Sequence, residues 1–125
     1  MIADTIDPPA VFDAEAVSGL TGHPGDHAFA VVFVTRYRRL LPERVRRIAQ
    51  TLAVGEAGDR ADAMDAVLSL KVASTTVGAH ELAGIAGRLE RLVRRGDLAQ
   101  AVVLQTALVA AVARVDHALG AFLGD

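Results

Sequence analysis

The side chains in this sequence with chemistry to offer are four histidines, a single lysine and a few spaced carboxylates. His80, with Glu81 beside it near the start of a helical segment, could accept a phosphoryl group on an imidazole nitrogen. The positive end of that helix disfavours the imidazolium form, so a surface or capping role is the better reading. His23 and His27 stand four residues apart, a spacing that suits a metal pair on a helix, but Pro24-Gly25 between them breaks that geometry. His117 stands alone. Asp59, Asp62 and Asp65, three apart, fit helix capping and a helix N-terminus better than a carboxylate site. Arg36, Arg39 and Arg47 form a near-helical basic stripe, read as a solvated face balanced by Glu43. No glycine-rich phosphate loop, serine-histidine-acid order or zinc-ligand spacing is present. The lysine, Lys71, is conspicuous among twelve arginines.

The composition narrows the function classes further. With no cysteine, disulfides, thiolate nucleophiles and zinc-thiolate sites are all excluded, in keeping with a reducing compartment. A net charge of −2 provides no basic field for nucleic acid or an anionic membrane. The N-terminus MIADTIDPPA lacks the pattern of a signal peptide, and no run of about 18 apolar residues reads as a bilayer span. A cytoplasmic protein without metal or cofactor is therefore expected, with neither nucleic acid nor membrane as partner.

The elements that must hold these residues read as helices. Residues 1–10, with Asp7-Pro8-Pro9, are expected to be a flexible tail, and residues 11–125 one domain. Asp13 can cap a short helix through Ala16, Val17 and Leu20, closed by the turn at residues 21–25. From Asp26 to about Val54, Phe29, Val32, Phe33, Arg36, Tyr37, Leu40 and Leu41 recur largely at helical spacing. Pro42 is expected to kink this helix, after which Val45, Ile48, Ala49 and Leu52 resume the apolar face until Gly55 and Gly58 end it. A third helix runs from Asp59 to about Val77 and stops at Gly78. A fourth carries Leu82, Ile85, Ala86, Leu89 and Val93 up to Gly96-Asp97. The last spans Leu98 to about Phe122, with Val102, Leu108, Val112, Val115 and Leu119 as core positions. One apolar stripe per helix and short connections predict an all-α fold: an antiparallel four-helix bundle with a short extra N-terminal helix.

The third and fourth helices also carry a resemblance. The stretch Val67-Leu68-Ser69-Leu70-Lys71-Val72-Ala73-Ser74-Thr75-Thr76-Val77-Gly78-Ala79, followed by Leu82 and Arg88-Leu89-Glu90, resembles the signature of histidine phosphotransfer (HPt) domains. That signature runs Ala-His-x-Leu-Lys-Gly-Ser, a small and polar run, Leu-Gly-Ala, and then a Leu-Glu pair one helix later. Leu70, Lys71, Gly78, Ala79, Leu89 and Glu90 fall in place without gaps. Val11-Phe12-Asp13 resembles the family's opening helix start and Arg39-Leu40-Leu41-Pro42 its long first bundle helix, so the likeness spans nearly everything from residue 11. In the family the histidine takes a phosphoryl group from a receiver domain's aspartate, the lysine helps hold it, and the glycine keeps the helix surface open. Here those positions fall on Leu68, Lys71 and Val72, and leucine has no nucleophilic atom.

A helical wheel turns Ala63, Val67, Leu70, Ser74 and Val77 toward the bundle and leaves Leu68 and Val72 one turn apart on the outer face, with Met64, Lys71 and Thr75 alongside. Burying that leucine and valine in an interface is worth roughly 1.5–3 kcal/mol each. The resemblance thus implies a non-catalytic HPt-like module that contacts response-regulator receiver domains or a histidine kinase through Met64, Leu68, Lys71, Val72 and Thr75. The alternatives are phosphotransfer through His80, or a homodimer built on the third-helix face.

Overall fold

The computed structural model describes residues 9–19, 27–53 and 60–124, which form five α-helices: α1 (Ala14–Gly19), α2 (His27–Ala53), α3 (Arg60–Val77), α4 (His80–Arg94) and α5 (Leu98–Leu123). The expected tail up to residue 8, Leu20 and the turn after it with His23, Val54, and Gly55, Gly58 and Asp59 lie outside the described residues. Helices α2 to α5 make the bundle. Both α2 and α4 pack against α3 and α5, which places α3 and α5 on one diagonal, while α1 lies on α2 and α3. The fold is all-α, as the periodicity predicts.

The inward arc read on α3 and the stripe read on α4 hold residue by residue, whereas of the outer α3 patch Val72 is exposed but Leu68 is half-buried and Met64 packs against the core. Ala63, Val67, Leu70, Ser74 and Val77 are buried on α3, as are Leu82, Ile85, Ala86, Leu89 and Val93 on α4. α2 needs correcting, because Phe29, Val32 and Leu40 are exposed; the inward stripe is Ala30, Val34, Tyr37, Leu41, Ile48 and Leu52. Spacing alone could not choose between two overlapping apolar stripes, and the inner one uses an alanine and a tyrosine. α2 continues helically through Pro42, which sits on its exposed side. On α5, Leu108, Val115 and Leu119 are buried and Val112 half-buried, but Val102 is exposed; Ala101 and Leu104 fill that level of the core.

α5 also corrects the membrane reading. By length and composition it is apolar enough to cross a bilayer, because Gln100, Gln105 and Thr106 interrupt its apolar run only mildly. In the fold one face of it is buried against α2 and α4.

Chain reversals are fixed by backbone chemistry. Gly78, at φ +89°, ends α3 in the left-handed region open to glycine. Gly96 does the same after α4, where Asp97 N–H donates to the Leu92 carbonyl at 2.8 Å, and the Asp97 carboxylate then accepts from Gln100 N–H at 3.2 Å to cap α5.

Candidate functional site

α3 stays helical past Leu68 because neither proline nor glycine interrupts it between Arg60 and Val77, and its buried stripe fixes which way the remaining side chains face. Val72 is 63% exposed on the outer face, and Leu68 lies one turn earlier, half-buried. Met64 is half-buried and packs against the core, while Thr75 is exposed. The Thr75 and Thr76 hydroxyls each donate at 2.8 Å to the carbonyl four residues back, on Lys71 and Val72. Their polarity is thereby turned to the helix's own backbone, so beside Val72 the exposed hydroxyl is that of Ser69, one turn earlier.

Lys71 is neither a freely solvated lysine nor poised over the Leu68 position. Its Nζ donates to Glu90 Oε1 on α4 at 2.7 Å, and Arg94 donates to the other oxygen of the same carboxylate. The Glu90 side chain is only 10% exposed, so both of its oxygens take charge-assisted hydrogen bonds. These bonds, from Lys71 first and Arg94 second, hold the Glu90 carboxyl below the usual carboxylate range against the opposing effect of burial. The ion pair ties α3 to α4 across 19 residues of sequence, and residue spacing gives no sign of it.

On the opposite flank α3 is registered against α2 by a buried polar pair. The Tyr37 hydroxyl and Ser74 Oγ lie 2.7 Å apart, both shut away from solvent. Burial pushes the Tyr37 phenol up, and the bond to Ser74 partly offsets this. The signal was present in the sequence: Ser74 is the one polar residue on α3's inward arc, and such a hydroxyl needs a partner. Beside this pair runs a shallow groove of about 150 Å³, lined by Phe33, Arg36, Tyr37, Leu40, Arg44 and Ala73. Phe29, stacked on Phe33 at 6.0 Å, extends its apolar side.

His80 is the first residue of α4, about 14 Å along the α3 axis from Leu68. Its Nε2 lies 3.4 Å from Asp13 Oδ2, and the segment before α1 forms a clasp around it. Asp13 N–H donates to the Gly78 carbonyl at 2.8 Å, Glu81 N–H to the Ala10 carbonyl at 2.9 Å, and Arg114 of α5 holds the Glu81 carboxylate at 2.9 Å. The imidazole therefore takes part in a junction of α1, α4 and α5. His27 is exposed and tilted against Phe122, and His117 is exposed next to Asp116, itself bonded to Arg38. Asp62 lies in the first turn of α3, and Glu43 pairs with Arg46 at 2.7 Å within the arginine-rich part of α2. Among the described residues no cluster of three metal-ligating side chains occurs.

A family model described as Hpt domain matches residues 32–118, which takes in α3, α4 and the outer face just described. Neither a curated protein nor a solved structure matches the chain significantly.

Proposed function

The chain belongs to the Hpt domain family, whose members serve phosphorelay signalling between histidine kinases and response regulators, and from that premise we propose a member that binds without carrying phosphate. It contacts a receiver domain or a histidine kinase through α3, and Leu68 occupies the position of the phospho-accepting histidine. The observation that carries this reading is the outer face of α3 itself. It offers Val72 and Leu68 in place of a nucleophile, and the Thr75 and Thr76 hydroxyls and Lys71 are engaged within the chain. Val72, exposed over most of its surface, would contribute about 1–2 kcal/mol on burial, and Leu68, already half-buried, somewhat less. The groove between α2 and α3 widens this face, with Arg36 and Arg44 as cations suited to an acidic receiver surface.

Phosphotransfer through His80 is the rival, and the Asp13 carboxylate beside that ring repels an incoming phosphoryl anion. The test is incubation with a labelled phospho-receiver, followed by gel filtration and acid-labile phosphate mapping. The proposal expects a complex in which the label stays on the receiver. Label on His80 that disappears in His80→Ala would overturn it.

A further inference from the structure

Two cationic side chains converge over a bare stretch of α4. Gly87 stands two residues before Leu89, on the far side of the helix from the core stripe, yet it is buried. A Cβ built on it falls 3.8 Å from a terminal guanidinium nitrogen of Arg91 and 4.0 Å from Cε of Lys71, so these two side chains cover it from α4 and from α3. Arg91 lies in the last turn of α4, where the negative end of the helix favours a cation. That accounts for an arginine at this position but not for its guanidinium lying one turn back, over residue 87 and beside Lys71.

Charge identifies what fits there. Glu90 is shared by Lys71 and Arg94, and Arg91 forms no ion pair among the described residues. One carboxylate set against three cations leaves two positive charges uncompensated. Donors are spare as well, since Lys71 uses one of its three ammonium N–H groups on Glu90 and the Arg91 fork is open. A partner's carboxylate would offset only one of these charges. A phosphoryl group, at about −1.5 to −2 near pH 7 and with three acceptor oxygens, offsets both and matches the guanidinium fork. Alanine would fit the folded chain at residue 87, because 3.8 and 4.0 Å are ordinary contacts, and it favours helix over glycine. Its methyl group would instead fill the floor between the two cations.

From this we infer that the cleft over Gly87, between α3 and α4, seats a phosphoryl dianion carried by the partner, so that the chain binds the phosphorylated form in preference to the unmodified one. Lys71 follows Leu68 by three residues on α3, which puts the seat at the edge of the face offered to that partner. No bond is made or broken; the phosphoryl group stays on its carrier. The inference rests on the receiver-or-kinase reading for the carrier's identity, and on Lys71, Arg91 and Gly87 for the seat. Lys71 has the part that the family resemblance implies, whereas Arg91 and Gly87 lie outside that signature.

The test has two arms. In the first, the isotope-labelled chain is titrated with inorganic phosphate to about 50 mM at constant ionic strength, with acetate as the monoanion control. Phosphate should shift the Arg91 Nε–Hε and Gly87 amide signals saturably and at least about fivefold more tightly than acetate. Arg91→Gln should abolish the response and Arg88→Gln should keep it. In the second arm a receiver domain is compared unmodified and as its beryllofluoride adduct. The adduct should bind about tenfold more tightly, a ratio that falls to within about twofold in Arg91→Gln and in Gly87→Ala, the latter with an unfolding midpoint no lower than wild type. Phosphate shifts at Arg91 no larger than at Arg88, equal affinity for both receiver forms, or binding to anionic vesicles that Arg91→Gln removes would each overturn the inference. A chain that holds phosphate at Arg91 and binds no receiver would support the seat and sink the receiver reading; receiver binding through Val72 without any phosphate response would do the reverse.

Discussion

Replacing Gly78 by alanine puts a methyl group where the structure has the carbonyl of Asp13. A Cβ built there falls 2.3 Å from the Asp13 oxygen and 3.0 Å from the Ala16 Cβ, far inside contact distance, and the backbone atom cannot swing aside as a flexible side chain would. The φ of +89° costs an alanine about 1–2 kcal/mol by itself. Displacing the segment before α1 also breaks the Asp13 N–H to Gly78 carbonyl bond and strains the one from Glu81 N–H to Ala10, about 1 kcal/mol together at the net value of such bonds. Against this, alanine lowers the entropy of the unfolded chain and returns about 0.4–1 kcal/mol. The balance is a loss of about 1–3 kcal/mol, a large share of the ~5–15 kcal/mol typical of a domain. Urea unfolding should show a lower midpoint with an unchanged slope, and amide exchange at Asp13 and Glu81 should quicken before the rest of the bundle. A loss below about 0.5 kcal/mol with exchange at those amides unchanged would refute the clasp, since no other relief of a 2.3 Å contact is available without moving the segment.

Two further predictions concern the polar links of α3. Tyr37→Phe leaves the Ser74 hydroxyl buried without its partner and should cost about 1–2 kcal/mol in urea unfolding, with Ser74→Ala added on top costing much less than it does alone. Because burial raises the Tyr37 pKa, the wild type should also lose stability as pH climbs past about 10, where the unfolded chain ionises first, and Tyr37→Phe should flatten that limb. Glu90 has the opposite sign: its lowered pKa contributes stability that is present above the usual carboxylate range and is lost as pH falls through the folded value. Glu90→Gln should therefore be about 1–2 kcal/mol less stable than wild type at pH 7, toward the low end because Lys71 and Arg94 are partly exposed, with the gap closing on acidification. A gap that stays constant down to pH 3 would contradict the ion-pair account.

Legibility in the sequence followed the number of apolar faces a helix carries. α4 has one clear stripe between charged residues, and all five residues assigned to its core are buried. α2 has apolar residues around more than half its circumference, so Phe29, Val32 and Leu40 were indistinguishable by spacing from Val34 and Leu41, and only packing against α3 and α5 separates them. Val102 fails for the same reason, on a helix whose outer face is as apolar as its inner one. On α3 the rotation was legible, which placed Val72 outward, but the engagement of Lys71 was not. An ion pair between two helices depends on their mutual rotation and offset, which no single-helix pattern encodes. The clasp at His80 is likewise tertiary, although Gly78 announced that something must approach closely there.

The central claim is that the outer face of α3 is a receiver-binding surface that works without a phosphate acceptor, and a titration of the isotope-labelled chain followed by NMR tests it most directly. Receivers in unmodified and phosphomimetic forms should shift the amides of Met64, Leu68, Lys71, Val72 and Thr75 in a saturable way, with Val72→Glu weakening binding about five- to thirtyfold, as loss of about 1–2 kcal/mol of apolar burial requires. Saturable binding to a receiver that leaves these five amides unmoved, or no binding across a cognate panel, would contradict it.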